Sequence, residues 1–177
     1  DDHGWSSIRQ FSTLRLAEID DMFEGRVKTQ FSSKAAIAAA IARAHVVIGA
    51  VLIPGAAAPK LVTRDMLKLM KRGSVLVDIA IDQGGCFETS RATTHEDPVY
   101  VVDGIIHYCV ANMPGAVART STFALNNATL PFVLRLANLG ADAALAADPH
   151  LAMGLNVSGG QIRHAAVATA LGLPFVA

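Results

Sequence analysis

The sequence predicts an α/β fold that contains part of a doubly wound parallel sheet, and three observations support this prediction. Two near-continuous apolar runs of strand length, at residues 45–51 and 74–79, indicate strands covered on both faces. Segments with helical spacing of apolar residues alternate with these runs. The 177 residues are 52% hydrophobic and 17% charged, which is enough apolar side chain for one core. This alternation predicts a partial Rossmann-like sheet followed by C-terminal helices.

The N-terminal elements follow from simple local patterns. Residues 1–13 are polar and without clear periodicity, so they predict an irregular segment. Apolar residues recur at roughly helical spacing through residues 14–23, and Gly25 follows where a helix ends. A short apolar or β-branched run near residues 26–31 comes next. An Ala-rich helix is then predicted over residues 33–44, with Ser32 and Ser33 as alternative N-caps.

The remaining strands and helices alternate in the same way. A helix over residues 64–71 separates the two apolar strands, and a long polar connection over residues 83–98 follows the second strand. Further strands are predicted at residues 99–102 and 105–111. The C-terminal part predicts a long helix that ends before Gly140, and two shorter helices over residues 142–155 and 161–170.

Composition excludes several classes of partner. The formal net charge is zero and basic residues form no run longer than a pair, which argues against nucleic acid and against an anionic membrane surface. The apolar runs are well short of the ~20 residues that span a bilayer. No secretory signal is visible, and the two cysteines form no C-x-x-C motif, so we expect a cytoplasmic protein with reduced, packed thiols.

Ligands of open parallel sheets bind beyond the carboxyl ends of the strands, so these ends are where functional residues are expected. Asp82 follows a largely apolar strand and precedes Gly84 and Gly85, where backbone can approach a ligand closely. A carboxylate in this position suits proton handling in a redox step. Position alone leaves open that Asp82 only caps the next segment. Asp78, inside the strand, is expected to be a hydrogen-bonded structural residue.

The turn at residues 112–115 also follows a strand, and it is compatible with a binding role or with simple turn chemistry. The histidines and cysteines show no metal-ligand spacing, so no metal site is predicted. No G-x-G-x-x-G occurs in the chain. The usual turn that holds a dinucleotide pyrophosphate is therefore missing from this sequence.

Five segments resemble, in order and spacing, the C-terminal half of bacterial alanine dehydrogenases. They are residues 32–33, 46–61 (VVIGAVLIPGAAAPKL), 75–88 (VLVDIAIDQGGCFE), 108–114 (YCVANMP) and 120–131 (TSTFALNNATLP). The related subunit of proton-translocating transhydrogenase shares part of the pattern, but the segments IAIDQGGCFE and YCVANMPG favour alanine dehydrogenase. The resemblance extends from about Arg15 to the C-terminus.

The resemblance implies a fold, a cofactor and a reaction. Members of this family bind NAD on a Rossmann-type domain and convert L-alanine to pyruvate and ammonia by hydride transfer to the nicotinamide. Residues 14–125 then correspond to an incomplete NAD-binding domain. Residues 126–177 correspond to C-terminal helices that pack toward the substrate domain in the family, and residues 1–13 are unmatched.

The resemblance also implies site residues. Asp82 corresponds to the active-site aspartate. Arg15 is expected to bind NAD, and Ser32, Val51 and Leu52 are expected to lie along the adenosine half of the cofactor. The residues expected near the nicotinamide are Ile79, Ala80, Ile81 and Asp82, together with Val110, Ala111, Asn112 and Met113.

Three departures from the family define the alternatives. The region with the family's catalytic histidine and its substrate-carboxylate ligands is absent, as is the glycine-rich turn, and Gln10 stands where the family has its ribose-binding aspartate. We therefore expect a truncation or a join to unrelated sequence at the N-terminus, and no alanine-dependent NAD reduction by the 177-residue chain alone. The alternatives are an inactive folded interaction module and a piece of a transhydrogenase subunit. Full-length family members are expected to form homo-oligomers.

Overall fold

A computed structural model of the chain describes residues 7–51, 53 and 57–176. The described residues pack as two compact units, the first made of residues 7–51 and 59–110, the second mainly of residues 111–176. The boundary predicted between residues 125 and 126 lies within one continuous helix, Ala118–Leu139. The change in packing occurs instead after residue 110.

The first unit begins with a two-stranded parallel sheet and one helix. Strand β1 (Ser7–Gln10) pairs with β2 (Lys28–Phe31), and helix α1 (Thr13–Phe23) connects them. The prediction that residues 1–13 are irregular is therefore wrong for residues 7–10. This strand has no apolar alternation of its own, and it is held by its pairing with β2, which local sequence does not reveal.

Helix α2 (Lys34–Ile41) follows β2 and is shorter than predicted. Of the two alternative caps, Ser33 is the one used, because its hydroxyl accepts a hydrogen bond from the backbone N–H of Ala36 at 3.1 Å. Ser32 is buried instead, and its N–H donates to the carbonyl of Gln10 at 3.0 Å. The ends of β1 and β2 are thereby joined to the start of α2.

The larger sheet contains the predicted apolar strands. Its strands are β3 (Val46–Gly49), β4 (Val75–Asp78), β5 (Val99–Val102) and β6 (Ile105–Tyr108). The spatial order is β3-β4-β6-β5, with β5 antiparallel to β6 and the other pairs parallel. This arrangement confirms the predicted α/β class. The strand predicted over residues 105–111 ends three residues earlier, at Tyr108.

The helix predicted over residues 64–71 is wrong in type and length. The segment forms a 3-10 helix, Asp65–Leu69, in which Met66 and Leu67 are buried. Its backbone bonds join residues three apart, as from the N–H of Met66 to the carbonyl of Thr63. The apolar spacing suggests a regular helix, but here it places the adjacent side chains of Met66 and Leu67 in the core.

The second unit is mainly helical. After a 3-10 helix, Met113–Val117, it contains α3 (Ala118–Leu139), α4 (Ala141–Ala147), α5 (Pro149–Ala152) and α6 (Ala165–Leu171), with a small hairpin of β7 (Val157–Ser158) and β8 (Gln161–Ile162) before α6. Gly140 ends α3 as predicted. Among residues 111–176 only Ala144 and Ala168 are buried. No described helix is long and apolar enough to span a membrane.

Two predicted helices of this unit are divided in the structure. The helix predicted over residues 142–155 is interrupted at Asp148, whose extended backbone and side-chain bond to the N–H of His150 start a new helix with Pro149 in its first turn. The helix predicted over residues 161–170 begins as strand β8. The side chain of Arg135 on α3 pairs with Asp148.

Gly49 at the end of β3 shows how tightly the first unit is packed. A Cβ atom there would overlap Sγ of Cys86 and would lie 2.7 Å from Cζ of Phe87. We therefore expect Gly49→Ala to lower the free energy of unfolding by about 1–3 kcal/mol through overpacking. Urea denaturation measures this loss. Combining it with Cys86→Ala, which removes the overlapping sulfur, should restore part of the stability, whereas simple addition of the two losses would contradict a steric cause.

Candidate active site

The carboxyl ends of three parallel strands lie side by side in the first unit. Gly49 of β3 is in register with Asp78 of β4, and Val77 of β4 is in register with Tyr108 of β6. The predicted residues Val51, 79–82 and Val110 come shortly after these three ends. The fold therefore brings them to one edge of the sheet, where ligands of parallel sheets bind. Leu52 lies outside the described residues.

Asp82 lies on a 3-10 helix, Ile79–Gln83, that follows β4 directly. Because this helix has about three residues per turn, Ile79 and Asp82 share one face. Both are exposed, Ile79 to 52%, whereas Ala80 and Ile81 are buried. The turn is thus fixed by two buried side chains and presents an apolar side chain beside a carboxylate. Ala80 and Ile81 support this face from beneath.

The loop after Asp82 is held by the buried carboxylate of Asp78. Its Oδ2 accepts hydrogen bonds from the backbone N–H groups of Cys86 at 2.9 Å and Phe87 at 3.4 Å, and from the hydroxyl of Ser90. Its Oδ1 accepts from the Cys86 thiol at 3.5 Å. This confirms the interpretation of Asp78 as a hydrogen-bonded structural residue. The site depends on Asp78 for the course of the chain from Gly85 to Ser90.

Glycine is required where this loop passes Asp78. Gly85 has a φ of +74°, and a Cβ atom on it would lie 2.7 Å from Oδ2 of Asp78. The residue therefore supplies both a left-handed backbone and the room for the carboxylate. Gly84 also has a positive φ, +86°, and it ends the turn that carries Asp82.

Lys60 also holds this loop. Its ammonium group donates to the carbonyls of Gly84 at 2.5 Å and Gly85 at 2.7 Å. Backbone bonds from Leu61 to Cys86 and from Glu88 to Val62 continue the contact. Lys60 could not be predicted from the sequence, because it lies 24 residues from Gly84 and no local spacing connects them.

A second buried group supports the end of the loop. The imidazole of His107 is fully buried, and its Nδ1 donates to the carbonyl of Ile105 at 3.0 Å, so that Nε2 accepts from the hydroxyl of Thr89 at 2.7 Å. The ring of Tyr100 stacks on the imidazole of His107, with 4.9 Å between the ring centroids. Burial lowers the pKa of His107, and burial likewise raises the pKa of Tyr100. Both groups are therefore kept neutral beneath the loop.

The two cysteines are free and buried, as predicted for packing residues. Burial, followed by the charge of Asp78, raises the pKa of the Cys86 thiol from an ordinary 9.0 to about 12. Between these values the unfolded chain releases a proton that the folded chain retains. The contribution of Cys86 to stability is thus complete below pH 9.0 and is lost as the pH rises toward about 12.

We therefore expect the free energy of unfolding to fall as the pH rises above 9.0, and Cys86→Ala to make this fall shallower. Urea denaturation at a series of alkaline pH values gives the slope. The variant is less stable at neutral pH because it leaves a cavity, so slopes rather than absolute values are compared. Equal slopes for both proteins would show that Cys86 does not titrate as described.

Ser32, predicted to lie along the adenosine half, directly follows β2, whereas Val51, predicted for the same half, follows β3. Gln10 and Ser32 are joined by a backbone hydrogen bond, and Oε1 of Gln10 accepts from the N–H of Phe11 at 2.7 Å. Arg15 lies in the first turn of α1, and its guanidinium pairs with Glu18 of the same helix at 2.6 Å. The structure thus brings Ser32 beside Gln10 and leaves Arg15 exposed on the helix that follows.

The remaining predicted residues differ in what they can offer a ligand. Val110 is fully buried and forms a parallel bridge with Thr93, so its side chain is not accessible to a ligand. Ala111, Asn112 and Met113 belong to the second unit. Asn112 has a left-handed backbone, φ +53°, and its carbonyl accepts from the N–H of Gly115 at 2.9 Å. Their contact with a cofactor stays a prediction.

Comparison with known proteins gives consistent results. The family model described as alanine dehydrogenase/PNT, C-terminal domain, matches residues 7–165. The match includes residues 7–13, which were predicted to be unmatched, and so places the start of the resemblance at residue 7. The chain is 64% identical over 165 residues to an alanine dehydrogenase of Halomonas elongata, covering 93% of this chain and 44% of that protein. It is 58% identical over 170 residues to an alanine dehydrogenase of Staphylococcus haemolyticus, covering 96% of this chain and 46% of that protein.

Solved structures give the same assignment. An L-alanine dehydrogenase superposes with a TM-score of 0.81 at 46% identity, covering 95% of this chain and 46% of that one. A transhydrogenase from Sinorhizobium meliloti is more distant, with a TM-score of 0.66 at 28% identity over 90% of this chain and 42% of its own. The chain spans about half the length of the relatives it matches. It belongs to the alanine dehydrogenase/PNT family and carries that family's C-terminal domain.

Proposed function

We propose that this chain is the nucleotide-binding part of an enzyme that oxidatively deaminates L-alanine to pyruvate and ammonia, with NAD as the hydride acceptor. The observation that carries the proposal is the exposed pair of Ile79 and Asp82 on one face of a rigid turn, at the edge where three parallel strands end. Membership of the family, and identities up to 64% with alanine dehydrogenases, support this reaction.

The exposed turn fits a nicotinamide and a small amino acid. The side chain of Ile79 offers an apolar surface of the kind on which a flat ring packs, and the Asp82 carboxylate stands one 3-10 turn away. Gly84 and Gly85 lack side chains, so the loop beside this face stays narrow. The bound nicotinamide would supply the hydride chemistry.

Asp82 is proposed to act on the substrate side of the reaction. Loss of hydride from Cα of alanine leaves a positively charged iminium, to which water must add. A carboxylate nearby stabilises this charge. It also accepts a hydrogen bond from the attacking water, and thereby orients the water and takes up its proton. Asp78, Lys60 and the glycines do not meet the substrate in this proposal. They hold the turn so that Asp82 keeps its position.

Further properties are proposed with the same function. The first unit, residues 7–51 and 59–110, serves as the incomplete NAD-binding domain, and residues 111–176 provide the C-terminal helices, within a protein that forms homo-oligomers. The cytoplasm is the proposed location, in keeping with two cysteines that are both free. L-alanine and pyruvate are the proposed small-molecule partners. No nucleic acid is proposed, because the net charge is zero.

A second candidate, an interaction module without catalysis, is favoured by one observation. Helix α3 has no buried residue, and it exposes large apolar side chains such as Phe123, Leu125 and Val133. A transhydrogenase subunit is less favoured, because its structural match is at 28% identity against 46% for alanine dehydrogenase.

A chimera tests the proposed reaction. This chain replaces the matching C-terminal portion of the Halomonas elongata relative, and the purified chimera is given L-alanine and NAD. We expect equimolar NADH and pyruvate, dependent on L-alanine and absent with D-alanine. The unaltered relative serves as the control. A chimera that folds and binds NADH, yet produces no pyruvate while the relative does, would favour the interaction module.

A further inference from the structure

A cavity of about 220 Å³ lies at the carboxyl ends of β1 and β2, and its lining includes Lys60, which also contacts the loop that follows Asp82. Phe11 directly follows β1, and Ser33 follows the end of β2 and caps α2. Cavities for drug-sized ligands usually measure about 300 Å³ or more, so this one suits one part of a dinucleotide rather than the whole. The described lining includes Phe11, Ile37, Leu61, Ser33, Lys34 and Lys60.

The lining has an apolar part and a basic part. Phe11, Ile37 and Leu61 provide surface for an aromatic base, whereas Lys34 and Lys60 provide positive charge. No carboxylate occurs in the described lining. Lys60 is held in place by two carbonyl groups, which are uncharged acceptors and do not neutralise it. A ligand with an aromatic ring and a phosphate therefore suits this cavity.

Gln10 supplies the third observation. In dinucleotide-binding folds, a carboxylate near this place accepts a hydrogen bond from the ribose 2′-hydroxyl, and basic residues accommodate a 2′-phosphate. Gln10 ends β1 without a charge, and its Oε1 is occupied by the N–H groups of Phe11 at 2.7 Å and Ser12 at 3.4 Å. The carboxylate that would repel a 2′-phosphate is thus replaced by the neutral side-chain amide of Gln10. The oxygen of this amide already accepts hydrogen bonds from the backbone.

From these three observations we infer that the cavity accepts an adenosine bearing a 2′-phosphate, so that this chain binds NADP(H) as well as NAD(H). The inference rests on the proposed nucleotide-binding function and concerns its adenosine end only. Lys34 is assigned to the phosphate, because its ammonium group is exposed and belongs to the lining. The apolar residues are assigned to the adenine.

Calorimetric titration of the 177-residue chain with nucleotide fragments tests the inference. We expect 2′,5′-ADP to bind at least as tightly as 5′-AMP, and more tightly than 3′,5′-ADP, which has the same charge in another position. Binding of 5′-AMP with clear exclusion of 2′,5′-ADP would overturn the inference and leave the proposed function standing. Equal affinity for 2′,5′-ADP and 3′,5′-ADP would show only general attraction of phosphate and would also overturn it. If no fragment and no NADH binds, both the inference and the nucleotide-binding proposal fail.

Three variants refine the test. Gln10→Glu has the same length as the natural side chain and is expected to weaken 2′,5′-ADP relative to 5′-AMP by about tenfold or more, because it adds a like charge. Lys34→Gln should weaken 2′,5′-ADP and leave 5′-AMP unchanged. Lys28→Gln, at the opposite end of β2, is the matched control. Equal losses of both fragments in Lys34→Gln, or equal effects of Lys28→Gln and Lys34→Gln, would contradict the assignment.

Discussion

Replacing Asp82 with asparagine is expected to lower kcat for L-alanine oxidation by about 100-fold to 10,000-fold, with a much smaller change in the affinity for NADH. The substitution keeps the size of the side chain and removes its charge and its ability to take a proton. Asp82 is exposed, and the turn that carries it is anchored by the buried Ala80 and Ile81, so we expect the variant to fold. Steady-state kinetics of the chimera with the Halomonas elongata relative measures the effect.

A matched control separates chemistry from general electrostatics. Asp65→Asn also removes one exposed carboxylate, in this case one paired with Lys68 at 2.8 Å on the surface of a 3-10 helix. It should leave kcat unchanged, because exposed pairs of this kind contribute little. A full retention of kcat in Asp82→Asn would refute the catalytic role and would leave Asp82 as a capping residue.

The second large effect concerns stability. Asp78→Ala is expected to lower the free energy of unfolding by about 3–5 kcal/mol. It leaves the N–H groups of Cys86 and Phe87 and the hydroxyl of Ser90 without their buried acceptor. Each unsatisfied buried donor costs about 1–3 kcal/mol. Urea denaturation of the 177-residue chain, followed by circular dichroism, provides the measurement.

Asp78→Asn is the informative comparison, because the two oxygens of Asp78 have different partners. Oδ2 accepts the strong bonds from the loop, and Oδ1 accepts only from the Cys86 thiol. An asparagine can place its oxygen at the Oδ2 position and its amide group toward the sulfur. We expect it to be clearly more stable than Asp78→Ala. If both variants lost equal stability, the charge of Asp78 rather than its accepting geometry would be the stabilising property.

The central strands were predictable because burial on both faces leaves a strong local signal. Residues 45–51 and 74–79 are near-continuous apolar runs, and β3 and β4 lie within them. Strand β1 left no such signal, because Ser7–Gln10 alternates no apolar residues and depends on β2, 21 residues further along. Partner strands that are distant in sequence are invisible to local periodicity.

Short helices were the other source of error. Apolar spacing near residues 64–71 and 142–155 resembles that of regular helices, but Met66 and Leu67 belong to a 3-10 helix and Asp148 divides the later segment. In both cases a few backbone hydrogen bonds decide the geometry, and they depend on contacts that composition does not specify.

The position of the candidate site could be predicted from the sequence, but the contacts that support it could not. The rule that ligands bind beyond strand ends leads to Asp82, and the resemblance to a family adds its role. The buried supports could not be found in this way. Lys60 contacts Gly84 and Gly85 across 24 and 25 residues, and His107 supports the loop through Thr89. Such contacts follow from the folded topology alone.

The sparse burial in the second unit has a calorimetric consequence. The heat capacity of unfolding rises mainly with the apolar area that becomes newly exposed, and α3 already exposes its apolar residues in the folded state. Melting of residues 111–176 should therefore add little to the heat-capacity increment of the 177-residue chain. Nearly all of that increment belongs to the unit around β3, β4 and β6, where Leu76 and Ile105 are almost completely removed from water.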